Sequence, residues 1–135
     1  MSRCGYVDDL DQWTIIKYRG QVASAARGKR GQTFLRALLA SLDAMHDKRL
    51  IANDLRDASG DVCALGSLGR ARGLPLETLD AREHEQLGQV FDIAPQLIAE
   101  IEYENDRDRT ETPARRWERM RRIVASLIKP DAVIP

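Results

Sequence analysis

The sequence is poor in the residues from which metal and redox sites are built. It has two cysteines, Cys4 and Cys63, and two histidines among 135 residues. The cysteines lie 59 positions apart, with no CxxC pair and no histidine cluster, which argues against a zinc site. Isolated thiols fit a reducing compartment. We therefore expect unpaired cysteines, no metal or other cofactor, and a cytoplasmic location.

Residue patterns typical of catalysis are scarce as well. Neither His46 nor His84 has a neighbouring serine or cysteine in a nucleophile motif. Glu100, Glu102 and Glu104 alternate around a helix and cannot converge on one metal ion. The sequence therefore predicts a protein that is not an enzyme. An enzyme would need a cleft in which one of the histidines meets a carboxylate.

Two glycine-containing segments look functional at first sight. Residues 28–33, GKRGQT, place cations and backbone amides at a helix start, but they lack the Walker A spacing. Residues 66–69, GSLG, match the GxxG loop of KH domains in four positions only. Close helix packing explains the second segment better. No long apolar run occurs, so neither a bilayer span nor a signal segment is expected.

Net charge is absent, although the charges are unevenly distributed. The 21 basic side chains balance 21 acidic ones, so no global field attracts the chain to DNA or to a membrane. Residues 76–112 contain eleven acidic and three basic side chains, whereas residues 113–135 contain two and six. The reversal at Pro113 predicts two oppositely charged surfaces. These surfaces satisfy either each other or an outside partner.

Apolar residues recur at helical spacing along most of the chain. With 43% apolar content and 135 residues, one hydrophobic core can form. We predict a mainly α, compact single domain over residues 1–135, with five to six helices and loose termini at 1–7 and 130–135. The helices are predicted from Asp8 or Asp9 through Trp13 and Ile16 to Ala26, after the basic turn 27–32 up to Met45, from Asp61 to Ala71, over 80–91, from Ala94 to Glu104, and from Thr112 to Lys129.

Residues 49–65 are consistent with two structures. The turn-like segment 57–60 between Leu50-Ile51 and Val62-Cys63 would suit a short hairpin. Alternatively, Asp61 would cap a helix. We favour the helix, preceded by a short extended segment near residues 49–56.

Residues 83–104 resemble a helix-turn-helix, with a small residue in the first helix and a tight turn before the second. Three glutamates (Glu100, Glu102 and Glu104) and no cation lie on the second helix. DNA phosphates would repel such a helix. Simple packing, an acidic protein-binding face and docking into the major groove all remain compatible with the pattern, although the charge argues against base reading.

The last predicted helix carries arginines opposite an apolar stripe that begins at Trp117. This arginine face suits internal pairing or solvent exposure, phosphate binding, or an acidic protein partner. For a protein partner, the candidate residues are Glu100, Tyr103 as the aromatic anchor, Glu104, Asp106, Arg115, Arg119 and Arg122. For nucleic acid, the candidates are Arg27, Lys29, Arg30, Arg70, Arg72, Arg115, Arg119 and Arg122.

Several segments after Gln32 carry a resemblance: 30–35 (RGQTFL), 42–45 (LDAM), 48–51 (KRLI), 60–66 (GDVCALG), 103–106 (YEND) and 112–117 (TPARRW). They resemble a broad group of small uncharacterised phage- and prophage-encoded bacterial proteins that have no established activity. The resemblance implies an accessory factor that binds a host or viral macromolecule, and it implies no particular site.

We therefore predict an accessory protein that binds a protein partner, for example as an inhibitor or adaptor of host machinery. The alternative is a nucleic-acid-binding, helix-turn-helix-like regulator that uses the arginine face. An enzyme of unknown type is the third reading. The sequence does not determine the oligomeric state.

Overall fold

Six α-helices and one short 3₁₀ turn make up most of the computed structural model, which describes residues 2–6 and 12–130. The helices are α1 Gln12–Arg27, α2 Lys29–Ala44, α3 Ala64–Ala71, α4 His84–Phe91, α5 Pro95–Asp106 and α6 Pro113–Leu127, and the 3₁₀ turn is Leu76–Thr78. Within these ranges no strand forms beyond one antiparallel bridge between Arg56 and Val62. The predicted helical class is confirmed.

Helix α2 forms the centre of the core, as its wide apolar face predicts. Leu35, Leu38 and Leu42 are fully buried, and the helix packs against α1, α3 and α6. Helix α5 is a second internal helix, since it contacts α1, α3, α4 and α6. All six helices contribute to one cluster of buried apolar side chains. In the part of the chain that the structure describes, no helix has both the length and the apolar character needed to cross a membrane.

The turn between α1 and α2 is shorter than predicted. Only Gly28 interrupts the helices, and residues 30–32 are already helical. The two helices approach so closely that a Cβ at Gly31 would lie 1.9 Å from the carbonyl oxygen of Ala25. Glycine is therefore required at Gly31, because any side chain would push α1 and α2 apart.

Both structures considered for residues 49–65 are present in part. A hairpin-like loop surrounds the turn at 57–60, and the Cys63 amide donates to the Leu55 carbonyl at 3.2 Å. Helix α3 then follows. Its N-cap is Cys63, whose sulfur accepts from the Gly66 amide at 3.3 Å. The prediction of Asp61 as the cap is therefore wrong, because its carboxylate binds Arg49 at 3.0 Å.

The other helix starts show where local chemistry competes with helix formation. Asp80 accepts from the Arg82 amide at 2.9 Å and closes a turn, so α4 begins at His84 and not at 80. Thr112 caps α6 as predicted, with its hydroxyl 3.2 Å from the Arg115 amide. The caps predicted at Asp8 or Asp9 lie outside the described residues, as do residues 1, 7 and 131–135 of the predicted loose termini.

Candidate functional site

The helix-turn-helix-like hairpin at 83–104 is present, but its second helix is covered. Helices α4 and α5 meet at a tight turn, where Asp92 adopts a left-handed conformation with φ of 57°. A Cβ at Gly88 would lie 2.7 Å from the Ile93 carbonyl oxygen, which explains the small residue in α4. Helix α1 packs on α5, and the Tyr6 hydroxyl donates to Glu100 at 2.6 Å. Helix α5 is therefore an internal helix, which leaves little of it for a DNA groove.

The predicted acidic partner-binding residues are largely engaged within the molecule. Asp106 accepts two hydrogen bonds from Arg3, at 2.7 and 2.9 Å. Tyr103 is 36% exposed, and its ring lies 4.9 Å from that of Tyr6. Glu100 accepts from the same Tyr6, and burial together with this bond raises the pKa of Tyr6. These side chains anchor residues 2–6 onto α5.

The arginines of α6 divide into internal and external sets. Arg119 binds Glu111 in a bidentate pair at 2.7 and 2.8 Å, and this pairing lowers the pKa of Glu111. Arg119 also donates to the Glu104 carbonyl at 2.6 Å. Arg116 is 5% exposed and donates to the carbonyls of Asn105, Leu50 and Asp108, each at 3.1 Å. Two arginines thus satisfy the carboxyl end of α5 and the loop that follows it.

Arg115 and Arg122 remain on the outside of α6. Both are exposed, and neither makes an ion pair with a described residue. The neighbouring Arg121 pairs with Asp43 of α2, at 2.6 Å. The predicted arginine face is therefore reduced to these two side chains. Across the charge reversal at Pro113, Glu104 and Glu111 are the acidic residues that pair with described arginines of α6.

A buried carboxylate lies beneath the N-terminal segment. Glu102 is fully buried, and its Oε1 is 2.7 Å from His84 Nε2. Its Oε2 has no hydrogen-bond partner among the described residues, and Arg3 Nη1 is 3.9 Å away. Burial raises the pKa of Glu102 to about 8; Arg3 opposes the rise, whereas Asp106 and Asp80 add to it.

This pair gives only limited support to the enzyme hypothesis. His84 does meet a carboxylate, but neither His84 nor Glu102 lines any of four well-formed hollows on the described part of the chain. The other histidine, His46, has a fully exposed side chain on a chain turn. Nowhere in residues 2–6 and 12–130 do three potential ligands of the His, Cys, Asp or Glu types cluster around a metal position.

A hollow lies where α1, the start of α2 and the α4–α5 turn meet. It encloses about 700 Å³ and is hereafter called the basic hollow. The lining residues that matter most are Lys17, Gly20, Ser24, Gly28, Lys29 and Arg30. Gly28 offers no side chain to cap the first turn of α2, so that turn presents its amides without a side-chain acceptor. Among the described residues, the carboxylate that pairs with a cation of this hollow is Asp92, whose Oδ1 is 3.2 Å from Arg30 Nη1.

The outer face of α1 extends from the basic hollow toward the start of that helix. Trp13 is 75% exposed and Ile16 is 58% exposed, the two largest apolar exposures in the described residues. From the sequence, both were placed in the first predicted helix among its apolar positions, without assignment to a buried or an exposed face. A helical wheel would have indicated the exposure of Trp13. It places Trp13 on the same side as Lys17, Gly20 and Ser24, and it places Ile15 and Val22 on the opposite side.

The predicted nucleic-acid residues form no single surface. Lys29, Arg30 and Arg72 line a second hollow of about 280 Å³ that shares its first two residues with the basic hollow. Arg27 is exposed at the end of α1, and Arg70 donates to the Gly60 carbonyl at 3.3 Å. The α6 arginines line neither hollow: Arg115, Arg119 and Arg122.

Comparison with protein-family models, with curated proteins and with solved structures found no match for this chain.

Proposed function

We propose that this chain is a binding factor for a protein partner, and that its contact surface is the outer face of α1 together with the basic hollow. The observation that carries the proposal is Trp13, a tryptophan with 75% exposure beside a cation-lined hollow. Tryptophan is among the residues that most often dominate the energy of protein interfaces. The resemblance to phage and prophage proteins implies the same mode of action.

Charge and exposure favour this surface over the residues predicted from the sequence. The acidic side chains of α5 and two of the α6 arginines already have internal partners. A partner that used them would first have to break those contacts. Trp13, Ile16 and Lys17 need no rearrangement to meet a partner, and contact there would remove apolar surface from water.

Site-specific photo-crosslinking in the native cell tests the proposal. A benzoylphenylalanine at Ile16 should give a discrete heavier product on irradiation, because this position lies inside the contact surface. The same group at Arg122 or Tyr103 is the matched control on the surfaces predicted from sequence. A product at either control position and none at Ile16 would move the interface to α5 or α6 and refute the proposal.

Nucleic acid is the second candidate partner, favoured by the cations Lys17, Lys29, Arg30 and Arg72 around the two joined hollows. Cations that contact phosphates make affinity depend steeply on salt. Fluorescence anisotropy with labelled duplex DNA, single-stranded DNA and RNA at about 50 and 200 mM salt measures this dependence. Binding that weakens with salt and is lost when Lys29, Arg30 and Arg72 are changed to Ala would favour this candidate.

A further inference from the structure

The outer face of α1 has the length and shape of a helix-binding surface. With about 100° per residue, Lys17, Gly20 and Ser24 lie within about 40° of Trp13 around the helix axis. The stripe continues to Gly28 at the start of the basic hollow, about 22 Å from Trp13 at 1.5 Å per residue. This length is greater than that of a small molecule, and it matches the length of about fifteen residues of a partner helix.

In the middle of this stripe the side chains protrude little from the helix, because the residues are small. No atom lies within 4 Å of a Cβ placed on Gly20, so the space above it is open. Ser24 and Gly28 follow at intervals of four residues, which keeps the low surface on one side of the helix. Trp13 and Ile16 stand at one end, and Lys29 and Arg30 at the other. A partner helix can therefore approach α1 closely between an apolar end and a cationic end.

The cations of this surface favour a partner that carries negative charge. Lys17, Lys29 and Arg30 surround the hollow, and Asp92 is the carboxylate that pairs with one of them. Both side chains of that pair are exposed, 66% for Arg30 and 78% for Asp92, so the pair is weak and can exchange for another carboxylate. Complementary charge of this kind mainly sets specificity and the association rate.

We infer that the occupant of this surface is an acidic amphipathic α-helix of a partner protein, an inference that rests on the proposed function. Its apolar residues would cover Trp13 and Ile16, small residues would face Gly20 and Ser24, and carboxylates would meet Lys17, Lys29 and Arg30. The apolar end argues for protein over nucleic acid, because an aliphatic side chain such as Ile16 gains little beside phosphates. Helix-in-groove recognition uses the same spacing of anchors.

A designed peptide tests the inference with the full-length protein. The probe is a fluorescein-labelled helical peptide of about twenty residues, with leucines along one face and glutamates on the flanks. We expect a Kd on the order of 10–100 μM at about 50 mM salt. Three comparison probes are a peptide with glutamine in place of glutamate, the acidic peptide with a central proline that breaks its helix, and a duplex DNA of about twenty base pairs.

Substitutions then locate the peptide on the surface. Trp13→Ala and Lys29→Glu should each weaken binding by about tenfold, whereas Arg122→Glu on α6 is the matched control with no effect. Asp92→Asn should strengthen binding by about two- to fivefold, because it removes the competing carboxylate. Asparagine tolerates the left-handed backbone at this position. A gain in affinity cannot arise from loss of folding.

The outcomes separate this inference from the proposed function. If the proline-containing or glutamine-containing peptide binds as tightly as the acidic helix, still through Trp13, the acidic helical occupant is wrong and the surface stands. If duplex DNA alone binds, through Lys29, the partner is nucleic acid. If none of the probes binds below about 1 mM, the acidic helix is wrong. The proposed surface itself then fails only if a crosslinked product forms at Arg122 or Tyr103 and none forms at Ile16.

Discussion

Replacing Glu102 with glutamine should make the stability of this protein less dependent on pH. Glu102 is fully buried, and its Oε2 has no partner among the described residues. Burial raises its pKa from 4.5 to about 8, so the folded state holds a proton that the unfolded chain releases. The raised pKa stabilises the fold fully below pH 4.5, and this contribution is lost as pH rises toward 8.

The size of the effect follows from the same values. A pKa that rises from 4.5 to about 8 corresponds to at most about 5 kcal/mol of lost stability once Glu102 ionises. Relaxation of the site and entry of water reduce the cost of a buried charge. We therefore expect Glu102→Gln to gain about 2–3 kcal/mol relative to the wild type between about pH 5 and pH 9. Near pH 5 the two proteins should differ by less than about 1 kcal/mol.

Urea denaturation at about pH 5, 7 and 9 measures this difference, with unfolding followed by circular dichroism. Glutamine retains a polar atom for His84 and the size of the side chain, so packing is preserved. Glu85→Gln on the exposed surface of α4 is the control, and its effect should be small at all three pH values. The reasoning is refuted if Glu102→Gln loses stability relative to the wild type as pH rises. That result would mean that Glu102 is ionised and stabilised by Arg3 and His84.

Four further substitutions test the packing and the helix ends, each by the change in free energy of urea unfolding. Gly20→Ala should stabilise the fold by about 0.5–1 kcal/mol, because alanine is the better helix former and the space is open. Gly66→Ala should cost more than about 2 kcal/mol, since its Cβ would lie 2.0 Å from the Leu55 carbonyl oxygen. An equal effect of these two changes would contradict the packing. Arg116→Met should cost about 3 kcal/mol by leaving buried carbonyls without donors, and Thr112→Ala about 1 kcal/mol by removing a cap.

The helices were predictable because their signals are local. The apolar spacing of α2 and α6, Thr112 as a cap and Pro95 and Pro113 at first turns all act within a few residues of the chain. Where local signals competed, the boundaries were wrong. Aspartate is a residue type that commonly caps helices, but Asp80 closes a turn with Arg82 and Asp61 binds Arg49.

The candidate site was less predictable, since it depends on which charges meet. Arg3 and Asp106 are 103 positions apart in sequence, yet they form a bidentate pair. Periodicity shows only that a residue lies on one side of a helix, and does not show what covers that side. The acidic residues of α5 were therefore candidates for a protein-binding face, although residues 2–6 cover part of that face. For Trp13 the sequence predicted only a place in the first helix, and the structure shows that its side chain is exposed.

The sequence by itself determined the helical class, a count of five to six helices, the hairpin at 83–104 and the reversal of charge at Pro113. These depend on propensity, spacing and composition, which are properties of neighbouring residues. Only the tertiary structure decided how the charges are used. It joined the α6 arginines to the end of α5, enclosed Glu102 beside His84, and left Trp13 and the basic hollow outside. The reason is that burial and pairing depend on contacts between distant segments, which form only when the core brings those segments together.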